Sequence, residues 1–193
     1  MSAIVFTAIG LALVAAVIFG TGGAPSDFSF GTPEISGEEL PRPNRAGDPG
    51  IGLPAPVVIG EDFDALPVSI EPDGTAKGIV FLAHWCPHCQ AEVPRVQNWL
   101  DNGGGVAGTE IVTVVTAFDE TRVNYPPNDW LTDESWTPRV VVDDANSSIL
   151  AAFGQGGFPY WVFVNGDGIV TSRTEGELTI DQLAAHLGGA AAS

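Results

Sequence analysis

A wholly apolar segment, Gly78–Ala83, is followed almost at once by the residues Trp85-Cys86-Pro87-His88-Cys89. An apolar run of this length after a Pro-Asp-Gly turn predicts a central β-strand that is covered on both faces. Beyond the cysteines, Val93, Val96 and Leu100 recur at helical spacing. The two cysteines are therefore predicted to lie where a buried strand passes into a helix.

The rest of the chain after residue 53 alternates predicted strands with predicted helices. Besides the strand before the cysteines, strands are predicted at 66–70, 111–117, 139–142, 160–164 and 169–173. Further helices are predicted near residues 128–136, 146–153 and 180–187. Asn165-Gly166-Asp167-Gly168 predicts a hairpin turn between the last two strands. This pattern favours an α/β sandwich around a central mixed sheet.

Charge and cysteine content exclude two classes of protein. Seven Lys and Arg against 24 Asp and Glu give a net charge of −17, which excludes a nucleic-acid-binding surface. Cys86 and Cys89 are the two cysteines, and a pair this close in sequence cannot connect distant parts of a fold. The pair is therefore reactive or binds a metal.

A helix N-terminus favours the redox interpretation of the pair. Unpaired backbone N–H groups and the helix dipole stabilise a thiolate at Cys86, which makes it the candidate nucleophile. Cys89 lies one turn further on and is placed to resolve a mixed disulfide. Pro87 suits the first turn, and His88 adds a donor beside the sulfurs that favours the reduced form.

A metal site is the alternative interpretation of the same segment. His84, Cys86, His88 and Cys89 nominally supply four zinc ligands, as in a metal-binding module or metallochaperone. Zinc sites usually draw their ligands from two separated segments, and four ligands within six residues are hard to direct at one point. The redox interpretation is therefore preferred.

The segment FLAHWCPHCQAEVP resembles the thioredoxin-like fold, and in particular the TlpA/ResA-like membrane-anchored thiol–disulfide oxidoreductases. Four further features carry the resemblance: the opening motif at 52–56, Glu92, Pro94 and the loop Gly157-Phe158-Pro159. It implies a three-layer sandwich whose Phe158–Pro159 loop is the family's cis-proline loop. The 69 residues between Cys89 and Pro159 fit a TlpA-type insertion of an extra strand and helix.

The resemblance also implies roles for individual residues. Pro87, His88 and Glu92 tune the thiols, while Trp85, Phe158 and Pro159 bind the substrate. Val80 stands where thioredoxins carry a buried acid, so proton transfer passes to Glu92 or to water. No cofactor is needed, because the sulfur pair is itself the redox centre. A redoxin-type peroxidase is the other alternative that the opening motif permits.

The resemblance also bears on the partners of the protein and on the direction of electron flow. The resemblance implies a protein thiol or disulfide as substrate, in cytochrome c or metalloprotein maturation, and a membrane redox partner that regenerates the cysteine pair. The Pro-His dipeptide between the cysteines is that of the oxidase DsbA, whereas the scaffold resembles reductases. The two features point to opposite directions, and the scaffold slightly favours a reductant.

The N-terminal segment predicts export from the cytoplasm. Residues Ala3–Phe19 are uncharged, and a helix of this length would span about 25 Å, the short end of a membrane span. We predict an anchor at residues 1–24 with its N-terminus inside, and a cleaved signal peptide is the alternative. A Pro/Gly-rich linker at 25–52 then leads to an extracytoplasmic thioredoxin-like domain at 53–189.

Overall fold

The computed structural model describes residues 28–44 and 47–193. Its strands are β1 (Glu34–Ser36), β2 (Val57–Glu61), β3 (Pro67–Ile70), β4 (Ala76–Leu82), β5 (Thr109–Val115), β6 (Arg139–Val142), β7 (Tyr160–Val164) and β8 (Val170–Glu175). Its helices are α1 (Pro87–Asp101), α2 (Pro127–Asp133), α3 (Ser148–Ala152) and α4 (Ile180–Ala191). All the elements predicted after residue 53 are present, with ends shifted by a few residues.

A mixed five-stranded sheet in the order β6-β5-β4-β7-β8 forms the centre of the molecule. Strands β4, β5 and β6 are parallel, and β7 is antiparallel to both β4 and β8. Every residue of β4 is buried, as the apolar run predicted. Two strands and two helices lie between α1 and β7 (β5, α2, β6 and α3), which leaves room for the predicted insertion.

Alternate residues of β4 point into two separate cores, one on each face of the sheet. Val80 and Leu82 belong to the core beneath α1 and α4, together with Val93 of α1. Ile79 and Phe81 belong to the opposite core. That second face is covered by α3 and by an antiparallel three-stranded sheet in the order β1-β2-β3. The molecule therefore has the three layers that were predicted, although the sequence did not indicate that a small sheet forms one of them.

The Pro/Gly-rich segment predicted as a linker packs against the domain wherever the structure describes it. Strand β1 pairs with β2 in antiparallel register, with Glu34 opposite Ile59. Leu40 is 3% exposed, and its N–H donates to the carbonyl of Ala152 at 2.8 Å. The expectation of a free tether therefore needs correction over these residues, because a few apolar side chains and a short strand suffice to attach the segment.

A buried ion pair also holds this segment in place. Arg173 on β8 has a fully buried side chain, and its guanidinium binds the carboxylate of Asp48 with two nitrogens. The same guanidinium donates to the carbonyls of Pro41 at 2.8 Å and Phe153 at 3.2 Å, and to the Tyr160 hydroxyl at 3.2 Å. Pro41 and Asp48 are thus joined to the central sheet through one side chain.

The predicted membrane anchor at 1–24 lies outside the described residues. Within residues 28–44 and 47–193, no helix combines the length and the apolar character that crossing a bilayer requires.

Candidate functional site

The register of the central sheet brings the two ends of the site together. In the β4–β7 ladder Phe81 lies opposite Tyr160, so the carboxyl end of β4 and the start of β7 share one edge. Cys86 follows β4 and Phe158 precedes β7, and the Cys86 Sγ lies 3.8 Å from the Phe158 carbonyl oxygen. The peptide bond between Phe158 and Pro159 is cis, in agreement with the resemblance.

Cys86 is the N-cap of α1, and Pro87 occupies the first turn as predicted. Cys86 is 6% exposed and Cys89 is fully buried, and both are free thiols. Burial raises the pKa of the Cys89 thiol well above its ordinary value, and the neighbouring charges of Cys86 and Glu92 act in the same direction. The geometry therefore separates a slightly exposed thiol at the helix N-terminus from a fully buried thiol that keeps its proton.

The Glu92 side chain turns inward from α1 and is 1% exposed. Its carboxylate accepts hydrogen bonds from Trp161 Nε1 at 3.1 Å and from the Leu178 N–H at 3.2 Å, and it pairs with Arg95. Burial raises the pKa of Glu92 above its ordinary value of 4.5, while the Arg95 charge opposes that shift. An ionisable group thus lies in the interior close to Cys89, where the resemblance placed it.

Burial of Glu92 predicts a pH-dependent stability difference for Glu92→Gln. A carboxyl whose pKa rises on folding lowers stability as the pH increases above its unfolded value, because the unfolded chain ionises more easily. We expect the free energy of unfolding of the variant to gain on that of the wild type as the pH rises from about 4.5, the ordinary value for Glu. Urea melts of both proteins at a series of pH values measure this difference.

The test is how the difference in unfolding free energy between variant and wild type changes with pH. Its absolute size is less informative, because the new amide faces the N–H donors of Arg95 and adds the same cost at every pH. A flat difference, or one that favours the wild type with rising pH, would contradict the burial argument.

His88 lies on the surface with 67% of its side chain exposed. Its Nδ1 is 2.8 Å from an oxygen of Glu177, and the structure gives no contact between its ring and either sulfur. The other Glu177 oxygen accepts from Arg95 Nη1 at 3.0 Å. The sequence singled out His88 as a group beside the sulfurs, but it did not identify Glu177 or Arg95.

Aromatic side chains line the approach to Cys86. Trp85 is half-buried, its Nε1 donates to the Ala117 carbonyl at 2.7 Å, and its ring meets Phe158 edge to face at 6.1 Å. The Arg122 guanidinium lies 4.8 Å from the centre of the Trp85 ring. Tyr160 is fully buried and belongs to the core, so it does not line this approach. Trp85 and Phe158 remain as the predicted substrate-facing surface.

His84, one of the nominal zinc ligands, is a core residue. It is fully buried, its Nδ1 lies 2.7 Å from the Val123 carbonyl, and its Nε2 accepts from the Asp119 N–H at 3.2 Å. Burial lowers the pKa of His84, so the ring is neutral and both nitrogens have backbone partners. Within the described part of the chain, no three His, Cys, Asp or Glu side chains cluster as a metal site would need. The metal interpretation therefore loses one of its two nitrogen ligands.

Comparison with curated proteins identifies one relative. The chain is 30% identical over 131 residues to the thiol-disulfide oxidoreductase ResA of Oceanobacillus iheyensis. The match covers 67% of this chain and 65% of the relative, so the chain spans a little under two thirds of that protein's length. No protein-family model matches the chain.

Comparison with solved structures supports the fold. StoA from Bacillus subtilis superposes with a TM-score of 0.57 at 21% identity, over 70% of this chain and 98% of that one. A thioredoxin-family thiol:disulfide interchange protein from Chlorobium tepidum superposes with a TM-score of 0.57 at 23% identity, over 71% of this chain and 94% of that one. The predicted thioredoxin-like α/β fold with a central mixed sheet is confirmed.

Proposed function

We propose that this thioredoxin-like protein, a relative of the ResA-type thiol–disulfide oxidoreductases, exchanges a Cys86–Cys89 disulfide or dithiol with the thiols of other proteins. The proposal rests on one observation about the two cysteines. Cys86 caps α1 with its Sγ 3.8 Å from the Phe158 carbonyl oxygen, and its partner Cys89 is fully buried. Free carbonyl and amide groups at such a loop can pair with an extended substrate strand.

The exchange takes place in two balanced steps. The Cys86 thiolate attacks one sulfur of the substrate disulfide, which forms a mixed disulfide and releases the first substrate thiolate. Cys89 loses its proton to Glu92 or to water and attacks the Cys86 sulfur, which releases the second substrate thiolate and leaves the Cys86–Cys89 disulfide. The reverse sequence oxidises a substrate dithiol.

Trp85, Phe158 and Pro159 form the substrate-facing rim in this proposal. Their position beside Cys86 supports it, since a strand that reaches the sulfur has to pass the Trp85–Phe158 edge. The resemblance extends the proposal to cysteines of a cytochrome c or metalloprotein client, and to a membrane redox partner that regenerates the cysteine pair.

We also propose that the domain works outside the cytoplasm, attached by an anchor at residues 1–24. The uncharged run Ala3–Phe19 supports this placement. Membrane fractionation of the full chain, compared with a chain that starts at Phe28, tests it. Recovery of both chains in the same fraction would contradict the anchor.

Catalysed reduction of insulin by dithiothreitol tests the proposed activity. The full chain should accelerate precipitation of the insulin B chain, because dithiothreitol reduces the cysteine pair and the pair reduces insulin. The double variant Cys86→Ser, Cys89→Ser is the matched control and should leave the uncatalysed rate unchanged. Equal rates for wild type and double variant, with both proteins folded, would contradict the proposal.

A further inference from the structure

A chain of charged side chains runs from the solvent to the interior beside the cysteine pair. It begins at His88, passes through Glu177 and Arg95, and ends at the buried Glu92. The exposed fraction of the side chain is 67% for His88 at the outer end and 1% for Glu92 at the inner end. The two side chains between them are each exposed by about one third. Charges alternate along the chain when His88 is protonated, so each carboxylate lies next to a cation.

Glu177 joins His88 to Arg95 in this chain. One of its carboxylate oxygens lies 2.8 Å from His88 Nδ1, and the other accepts from Arg95 Nη1 at 3.0 Å. Hydrogen bonds from His88 and then Arg95 hold the pKa of Glu177 below its ordinary value, so the group carries its negative charge at neutral pH.

The backbone on the carboxyl side of Glu177 fixes its position. The N–H of Leu178 donates to the Glu92 carboxylate at 3.2 Å. Thr179 then forms a reciprocal capping box with Gln182 at the start of α4. Two anchored residues therefore follow Glu177 directly and fix the position of its backbone.

Reduction of the pair places negative charge at the N-terminus of α1, the helix that carries His88. Two electrons from a donor dithiol break the Cys86–Cys89 bond, the donor becomes a disulfide, and Cys86 carries the thiolate charge while Cys89 keeps a proton. A cation near Cys86 favours that reduced form, and an anion disfavours it. His88, two residues from Cys86, would favour it when protonated, but its Nδ1 lies 2.8 Å from a Glu177 oxygen.

We propose that Glu177 is a positioning residue that holds His88 in an ion pair and so keeps the Cys86–Cys89 couple toward the reducing end of its range. This inference rests on the proposed function, since it concerns the potential of the same pair. It also accounts for a Pro-His dipeptide of the oxidase type on a scaffold that resembles reductases. The dipeptide keeps its histidine, and the carboxylate offsets the histidine's charge.

The reduction potential of Glu177→Gln, measured by equilibration with glutathione, tests the inference. Removal of the carboxylate should favour the reduced form by about tenfold in the equilibrium constant with glutathione, which is about 30 mV for a two-electron couple. Glu61→Gln removes the same charge from the exposed last residue of β2 and should change the constant by less than about twofold, since exposed charges at a distance are screened.

A second background shows whether Glu177 acts through His88. In His88→Gln, the further change Glu177→Gln should shift the equilibrium by less than half as much as it does in the wild type. An unchanged or lowered potential in Glu177→Gln, or an equal shift in both backgrounds, would overturn the inference.

Failure of the proposed function would look different from failure of this inference, because the wild type itself would then form no Cys86–Cys89 disulfide in the glutathione series. If Glu177→Gln does not fold, the reduction potential of Glu177→Asp is measured in its place. The shorter side chain cannot span both cations, so the same upward shift is expected at a smaller size, and no shift in Glu177→Asp would overturn the inference.

Discussion

Replacement of Cys86 with serine should lower the rate of insulin reduction by about 10³-fold or more, because the thiolate is the nucleophile of the first step. Cys89 cannot take over this role. It is fully buried, and burial raises the pKa of its thiol, so both access and thiolate fraction are small. The rate of thiol consumption by oxidised glutathione gives a second measure of the same loss.

Cys89→Ser should behave differently, although it also stops turnover. Its Cys86 still attacks a disulfide, but the buried serine cannot resolve the product, so a glutathione adduct should accumulate on Cys86 and appear as a mass increase. The adduct should be absent from Cys86→Ser under the same conditions. An adduct of equal yield in the two variants would contradict the assignment of roles.

Asp48→Asn should destabilise the protein by about 3–5 kcal/mol, the usual cost of leaving a buried charge without its partner. The Arg173 side chain is fully buried and that of Asp48 is 13% exposed, so water cannot replace the lost carboxylate. The remaining Arg173 partners are two carbonyls and a hydroxyl, none of which is charged. The free energy of unfolding from urea melts measures the loss.

Acid should remove the same interaction in the wild type. Hydrogen bonds from Arg173 lower the pKa of Asp48 below its ordinary value of 3.8, so its contribution is present above that pH and is lost as the pH falls further. Asp64→Asn, an exposed acid in the turn before β3, is the matched control and should change stability by less than about 0.5 kcal/mol. A similar effect of the two substitutions would show that the Asp48–Arg173 pair does not hold the N-terminal segment.

The sequence predicted the elements around the cysteines because local patterns specify them. The apolar run of β4 and the helical spacing of Val93 and Val96 are signals of single elements, and each lies within a few residues of the site. The contact between Cys86 and Phe158 is different, since the two are 72 residues apart. That contact depends on sheet register, and only the resemblance to a known family indicated it.

Residues that act through long-range contacts gave no sequence signal. Glu177 is separated from His88 by 89 positions and lies in a short loop without periodicity. The pairing of Arg95 with Glu92 could have been predicted from the sequence, since the two are three residues apart on the same helix. The burial of His84 depends on the loop that follows β5, which the sequence indicated only as irregular.

The N-terminal segment shows how composition can mislead. Glycine and proline make up ten of the 28 residues from 25 to 52, and such a composition is typical of a flexible linker. Leu40 and Asp48 nevertheless fix much of it to the domain, through one buried side chain and one buried ion pair. The average composition of a sequence window does not indicate single anchoring residues of this kind.

The central claim is that Cys86 and Cys89 form one redox couple, and equilibration of the full chain with glutathione buffers tests it most directly. Both thiols should disappear together in a single two-electron transition, with an intramolecular disulfide as the product and no bound glutathione at the end point. A protein that keeps two free thiols at every glutathione ratio, or that carries glutathione on Cys86 without forming the internal bond, would contradict the account.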